Sequence, residues 1–133
     1  MFKSDSKPQS RIDTLIGAGT TITGDVVFSG GLRLDGEIRG NVKATGEQQG
    51  TLVVSEHARI EGEVSVAHMV INGTVVGPIV ASGSLELQAK ARVTGDIQYS
   101  SIEMHLGAVV QGQMVHTGTA AKSVELKLAS GGK

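Results

Sequence analysis

The sequence predicts an all-β fold: a single three-faced parallel β-helix, or solenoid, of about six to seven rungs. Two observations carry this prediction. Apolar residues recur at alternate positions in short runs, which is the period of a β-strand. Between the runs a glycine recurs every 15 to 22 residues, and a residue without a Cβ lets the chain bend there at little steric cost. Repeats of this length, with strand patterning inside each, are the signature of a solenoid.

Each repeat begins with a corner, in which a glycine and a second small or polar residue precede an aliphatic one. The corner glycines are Gly24, Gly40, Gly62, Gly77, Gly95 and Gly112. The first face then starts with Val26, Val42, Val64, Ile79, Ile97 and Met114. Two positions later stand Phe28, Ala44, Val66, Ala81, Tyr99 and His116. We expect these residues to stack as two inward columns.

Two further faces complete the rung. The second face is predicted from the pairs Leu32/Leu34, Leu52/Val54, Met69/Ile71, Leu85/Leu87 and Ile102/Met104, and the third from Ile38, Ile60, Val75, Val93 and Val109. Ile16 and Ile22 fit the second and third columns of an incomplete first rung. The longest corner, Ala44–Leu52, is expected to bulge from the rod as a loop.

The composition agrees with such a rod. The chain has 133 residues, 19 of them glycine, and its only aromatic residues are Phe2, Phe28 and Tyr99. A narrow interior filled by stacked aliphatic side chains does not need large rings. The absence of cysteine excludes disulfides and thiolate metal sites. No apolar run reaches the roughly 20 residues of a transmembrane helix and no signal-peptide core follows the start, so the sequence predicts a soluble, cytoplasmic protein.

The two ends of the chain differ from the body in charge. Of 12 Lys and Arg and 13 Asp and Glu residues, six bases and two acids lie in residues 1–11 and 120–133, which leaves six bases and eleven acids in the body. An acidic body without a basic stripe argues against nucleic-acid binding. We predict a disordered N-terminal tail over residues 1–13, a β-helix core over 14–128 and a flexible tail over 129–133.

The N-terminal tail contains one of the two phenylalanines. The plain interpretation is that one apolar residue in a tail has no role. The alternative is a membrane anchor, in which Met1 and Phe2 insert at the lipid interface while Lys3 and Lys7 meet anionic headgroups. One Phe contributes about 2–3 kcal/mol, so such an anchor holds only when many copies are presented together.

The search for chemistry finds no catalytic residue, metal site or cofactor. The histidines show no metal-ligand spacing, and no acidic residue is placed by the sequence to orient one of them. The repeat lengths differ from the strict six-residue unit of hexapeptide acyltransferases. No phosphate-binding G-x-x-x-x-G-K occurs, which predicts no nucleotide binding.

The remaining feature is the geometry of the ends. Soluble solenoids normally cover their two open ends with a helix or a polar turn, and neither end shows a helical pattern. The first rung offers Ile16 and Ile22, and a final partial turn offers Val124, Leu126 and Leu128. We expect these residues to form the contacts through which rods stack end to end into a filament.

With its glycine corners, its valine-rich rungs over about Thr14–Met114 and its Met-Phe-Lys start, the sequence resembles the bactofilins. The resemblance implies a right-handed β-helix that polymerises without nucleotide, by head-to-head and tail-to-tail contacts, into non-polar filaments. It also implies membrane binding through Met1, Phe2, Lys3 and Lys7, and recruitment of peptidoglycan synthases or hydrolases at the inner face of the cytoplasmic membrane. In many family members a phenylalanine near the C-terminal end seals the subunit interface. This sequence has none after Phe28, and Leu126 and Leu128 are the nearest substitutes.

The predicted function is therefore a membrane-associated, self-polymerising cytoskeletal scaffold that is not an enzyme. Two other hypotheses stay open at this point. One is a β-helical enzyme of the hexapeptide acyltransferase or carbonic anhydrase type, and the other is a monomeric binding module that uses a flat face of the rod.

Overall fold

The computed structural model describes residues 12–45 and 50–117, which form a parallel β-solenoid of about six turns. All described strand pairs are parallel. The described residues contain strands and turns but no helix. The strands are β1 (Thr14–Ile16), β2 (Thr21–Thr23), β3 (Val26–Ser29), β4 (Gly31–Leu34), β5 (Glu37–Arg39), β6 (Val42–Thr45), β7 (Thr51–Val54), β8 (Arg59–Glu61), β9 (Val64–Ile71), β10 (Thr74–Val76), β11 (Ile79–Leu87), β12 (Arg92–Thr94), β13 (Ile97–Met104), β14 (Val109–Gln111) and β15 (Met114–His116).

The strand pairing confirms three faces. Face 1 consists of β3, β6, the first parts of β9, β11 and β13, and β15. Face 2 consists of β1, β4, β7 and the second parts of β9, β11 and β13. Face 3 is a separate sheet with the order β14-β12-β10-β8-β5-β2. Each strand therefore pairs with the strand one rung away rather than with its neighbour in sequence.

The corner between faces 1 and 2 differs along the rod. In the second and third rungs it contains Gly30 and Gly50, whose φ angles are 79° and 75°, and the chain forms separate strands on each side. In the next three rungs β9, β11 and β13 run through the corner as strands of eight or nine residues. A register shift between Ala81 and Ser84 accommodates the bend in β11.

The predicted columns form the core. Leu32, Leu52, Met69, Leu85 and Ile102 are in register on face 2, as are Ile38, Ile60, Val75 and Val93 on face 3. The interior members are almost completely buried. Val109, however, was wrongly placed: Val93 pairs with Val110, and Val109 faces outward. Two adjacent valines made the register ambiguous, and a slip of one residue reverses which side chain faces the core.

From the second rung on, the corner glycines stack so closely that a side chain has no room, whereas Gly24 in the first rung has open space. Gly77 and Gly95 have φ angles of 140° and 136°, and a Cβ on Gly95 would lie 2.5 Å from the carbonyl oxygen of Gly77. The next residue of the corner adds side-chain hydrogen bonds between rungs. The Asn41 backbone N–H donates to Asp25 Oδ1 at 3.0 Å, and the Glu63 N–H donates to Asn41 Oδ1 at 3.0 Å.

The predicted loop Ala44–Leu52 is shorter than expected on both sides. Ala44 and Thr45 belong to β6, and Thr51 and Leu52 belong to β7 and are buried. Residues 46–49 lie outside the described part of the chain, as do residues 1–11 and 118–133. Within the described part there is no helix long and apolar enough to cross a membrane.

Candidate functional site at the two ends of the rod

The first rung presents the N-terminal end of the solenoid. Among the described residues, its strands β1, β2 and β3 each pair on one edge only, with β4, β5 and β6 respectively. Ile16, Ile22 and Val26 are partly buried and pack against the core from one side. Beside them, Leu15 and Val27 expose 61% and 63% of their surface. Within residues 12–45 and 50–117 the rung is thus an open sheet edge above apolar columns.

The last described rung presents the opposite end. β14 and β15 each pair with one described strand, β12 and β13 respectively, and the second part of β13 pairs only with β11. Ile102, Val110 and Met114 are partly buried where the columns end. Met104 is 47% exposed, although Leu87, its partner in the rung before, is fully buried.

The contrast along a column shows what the ends can do. On face 2, Ile16 and Met104 occupy the same column as Leu34, Val54, Ile71 and Leu87, whose exposure is zero. A further rung on either side would cover the terminal residues in the same way. Burial of apolar area is worth about 25 cal/mol per Å², and an uncovered strand edge is a template for pairing with another chain. A second rod can supply both.

The backbone at the glycine corner follows the same repeat. The N–H groups of Val26, Val42 and Val64 donate to carbonyl oxygens of the next rung, at 2.8 to 2.9 Å. Met114 is the equivalent residue in the last described rung, and no described strand follows it. In the described part of the chain, the last rung therefore presents polar edge groups as well as apolar side chains.

Two of the residues predicted to form the polymerisation interface are described. Ile16 and Ile22 lie in the first rung, on faces 2 and 3, and both pack against the core; their part in assembly stays a prediction. Val124, Leu126 and Leu128 lie outside the described residues, so their place at the opposite end stays a prediction. The predicted membrane-binding residues Met1, Phe2, Lys3 and Lys7 also lie outside the described residues.

Sequence reasoning missed the terminal surface that the structure does describe. Ile102, Met104, Val110 and Met114 end the columns of the last described rung. Three of them had been recognised as column members, but the apolar run over residues 124–128 drew the interface toward the chain terminus. The signal was available, because each is the last member of its column before the repeat stops.

Ion pairs lie on the outer surfaces of the described rod. On face 3, Arg39 Nε donates to Glu37 Oε2 at 2.9 Å and Arg59 Nε to Glu61 Oε2 at 2.7 Å. The Arg59 hydrogen bond holds the pKa of Glu61 below its ordinary value. Next to face 2, the Lys90 ammonium holds the pKa of Glu56 below its ordinary value in the same way.

The histidines do not assemble a catalytic arrangement in the described rod, but His105 lies between two carboxylates and His57 lies near one. His68 Nδ1 lies 2.9 Å from Ser84 Oγ, and His116 Nε2 lies 2.7 Å from the Ser100 carbonyl oxygen. His105 Nε2 lies 3.0 Å from Glu86 Oε2 and 3.5 Å from Glu103 Oε2. The expectation that no acidic residue orients a histidine was therefore wrong for His105.

A surface groove of about 470 Å³ runs beside the corner between faces 2 and 3. Its ionic groups are already engaged with each other. The Arg33 guanidinium donates to Asp35 at 3.2 Å, and Glu56 accepts from Lys90 at 3.0 Å. His57 lies 3.9 Å from the same Glu56. A groove with mutually paired charges favours a solvated surface over an active site.

Comparisons with known proteins point to the same function as the geometry. A family model described as bactofilin, polymer-forming cytoskeletal, matches residues 14–115. The chain is 29% identical over 102 residues to bactofilin BacO of Myxococcus xanthus strain DK1622, covering 77% of this chain and 78% of BacO. It is 28% identical over 106 residues to bactofilin BacP of the same organism, covering 79% of this chain and 42% of BacP. No solved structure matches the chain.

Proposed function

The chain belongs to the bactofilin family of polymer-forming cytoskeletal proteins, and from this premise we propose that its rods join end to end, without nucleotide, into non-polar filaments. The observation that carries the proposal is the pair of open ends. The described rod presents unpaired strand edges over partly buried Ile16 and Ile22 on one side and over Ile102, Val110 and Met114 on the other.

Head-to-head and tail-to-tail contacts require each end to be compatible with itself. Both ends meet this requirement in composition, because each exposes aliphatic side chains beside a strand edge. A two-fold contact places the same residues on both sides of the interface, so apolar columns meet apolar columns. Filaments built in this way have no overall direction.

Nucleotide has no role in the proposed assembly. The free energy comes from covering apolar surface and pairing sheet edges, and neither process needs hydrolysis. The experiment is electron microscopy and sedimentation of the purified full chain in buffer without nucleotide. Filaments that form equally with and without ATP, GTP and magnesium are expected. Filaments that form only after nucleotide addition would contradict the proposal.

We propose further that the N-terminal tail attaches the filament to the inner face of the cytoplasmic membrane. Insertion of Phe2 contributes about 2–3 kcal/mol and each nearby lysine about 1 kcal/mol at an anionic surface. A filament presents the tail many times along its length, so the weak contacts add up. The body of the rod, with eleven acids and six bases, is repelled by the same lipids and leaves the tail as the attachment point.

Flotation with anionic liposomes tests the attachment separately from assembly. Phe2→Ala should leave filaments intact and release them from the liposomes, whereas Ser6→Ala in the same tail should change neither property. Salt should weaken wild-type binding only in part, because insertion of an apolar ring is not screened. Full flotation of the Phe2→Ala filaments would exclude the tail as the anchor.

The last part of the proposal concerns partners. A filament on the membrane acts as a scaffold that recruits peptidoglycan synthases or hydrolases and so influences cell shape, and the chain itself has no enzymatic activity in this scheme. Proximity labelling in the host, with wild-type filaments and with a non-assembling variant, should label cell-wall enzymes only in the first case. Equal labelling of cell-wall enzymes by the wild type and by the non-assembling variant would contradict recruitment by the filament.

A further inference from the structure

The cluster Glu86–Glu103–His105 lies on the outer surface of the last two described rungs, where face 2 ends. Glu86 and Glu103 are direct partners in the ladder between β11 and β13. His105 follows β13 by one residue. The three side chains bring their ligand atoms, two carboxylate oxygens and Nε2, within 4.8 Å of one another. We propose that this cluster binds a divalent transition-metal ion of the zinc class.

The distances fit a shared ion. Zinc binds imidazole nitrogen at about 2.0–2.1 Å and carboxylate oxygen at about 2.0–2.2 Å, so neighbouring ligand atoms of a tetrahedral site lie about 3.3–3.5 Å apart. His105 Nε2 lies 3.0 Å from Glu86 Oε2 and 3.5 Å from Glu103 Oε2. Small rotations of exposed side chains complete the geometry, and three protein ligands leave a fourth position for water.

The charges also favour a cation. Like charges directly opposite each other on neighbouring strands are destabilising, and Glu86 and Glu103 are such a pair. Within the described rod neither carboxylate lies within ion-pair distance of a lysine or arginine, and the imidazole of His105 is their ionisable neighbour. One imidazole carries at most one positive charge against two carboxylates, whereas a divalent ion supplies two.

The surroundings hold one ligand in place. Gln88 Nε2 donates to Glu86 Oε2 at 3.3 Å, and Glu86 is the least exposed member of the cluster. A hydrogen bond from a neighbouring residue that orients a ligand is a common feature of metal sites. The donor set of one imidazole and two carboxylates suits zinc, cobalt or nickel, whereas calcium and magnesium prefer oxygen ligands alone.

A second histidine provides a matched control. His57 is exposed and lies 3.9 Å from Glu56, but Glu56 is already paired with Lys90 at 3.0 Å. This site has one carboxylate, and its charge is already neutralised. His57 is therefore an exposed histidine like His105, but it lacks the pair of carboxylates without a lysine or arginine partner on which the proposed metal site depends.

The test uses the untagged full chain and the metal ion alone. Isothermal titration with Zn²⁺ should show one site per chain, and Co²⁺ should give the visible absorption of a low-coordinate ion. His105→Ala and Glu103→Gln should each weaken binding at least about tenfold, since even residues that only support a ligand contribute about 10–100-fold. His57→Ala should bind as wild type does. Ca²⁺ and Mg²⁺ should not compete at the same concentration.

Thermal unfolding gives a second readout. The ligands come from two rungs, so Zn²⁺ should raise the Tm of wild type and of His57→Ala, and should raise the Tm of Glu103→Gln less because its binding is weaker. Glu103→Gln preserves the shape of an exposed side chain, so circular dichroism should show the wild-type fold. Wild-type affinity in both cluster variants, no binding to the wild type, or equal loss in His57→Ala would each overturn the assignment.

Discussion

Replacing Ile16 with arginine separates assembly from folding, because Ile16 lies at the open end of a column. Ile16 faces inward in β1 and pairs with Leu34, which is fully buried in the next rung. The adjacent Leu15 faces outward and is 61% exposed. Leu15→Arg is therefore a matched control: it places the same charge one residue away, but outside the column on which the next rod would stack.

The size of the effect differs between the monomer and the filament. In the monomer, the arginine at position 16 can reach water through the open end. The free energy of unfolding therefore falls by at most about half of the 1.5–3 kcal/mol that full burial of an aliphatic side chain provides. In a head-to-head contact the arginines of both rods are enclosed without a partner, and each costs about 3–5 kcal/mol. With about 1.4 kcal/mol for each tenfold change, even one of them raises the concentration needed for assembly roughly 100- to 4,000-fold.

Sedimentation and electron microscopy across a concentration series measure this change, and circular dichroism confirms that the strands remain. Leu15→Arg should assemble within a few-fold of the wild-type concentration. If Ile16→Arg assembles like wild type, the N-terminal columns are not at the interface. If both variants fail equally, added charge rather than the covered column explains the loss.

Two other predictions concern the rod itself. Gly95→Ala and Gly24→Ala both place a side chain at positive φ. The new Cβ would meet the carbonyl of the preceding corner at Gly95, whereas it would lie in open space at Gly24. The conformational strain alone costs about 1–2 kcal/mol. Urea unfolding should therefore show that Gly95→Ala lowers the free energy of unfolding by more than this, and an equal decrease in Gly95→Ala and Gly24→Ala would argue against glycine stacking. Arg59→Gln should raise the pKa of Glu61 in an NMR titration, and Arg39→Gln should raise it less, because Arg39 acts only through its charge. The Arg59–Glu61 pair stabilises the fold above the ordinary glutamate pKa of 4.5, and this contribution is lost as the pH falls through the lowered pKa of Glu61. An unchanged pKa of Glu61 in Arg59→Gln would contradict the hydrogen bond.

The fold was predictable because each rung repeats one local rule. The glycine corners and the alternating aliphatic residues specify strand and corner together, and six rungs repeat the same information. Local features with several solutions were less predictable. Gly30 and Gly50 have positive φ angles and interrupt the strands between faces 1 and 2. The corresponding corners in β9, β11 and β13 contain no glycine with a positive φ angle, and the chain stays extended there.

The candidate sites were predictable only where they belong to a column. Ile16 and Ile22 follow from the repeat, because the first member of a stacked column must lie at an end. The cluster Glu86–Glu103–His105 does not follow from sequence spacing, since Glu86 and Glu103 are 17 residues apart and meet only through the rung register. That register depends on the lengths of the corners between strands, and at the entrance to face 3 these corners are either two or four residues long.

The misplaced valine yields a further test of the register. On face 3 the inward residue always stands two positions before the corner glycine, as Val75 does before Gly77 and Val93 before Gly95. Counting back from Gly112 therefore selects Val110, and the pairing of Val110 with Val93 agrees.

Val110→Asp places a carboxylate in the column and should lower the free energy of unfolding by about 1–3 kcal/mol. Val109→Asp, on a side chain that is 41% exposed, should change it by less than about 0.5 kcal/mol. Urea denaturation compares the two directly, and a greater loss in Val109→Asp would show that the last rung is shifted by one residue.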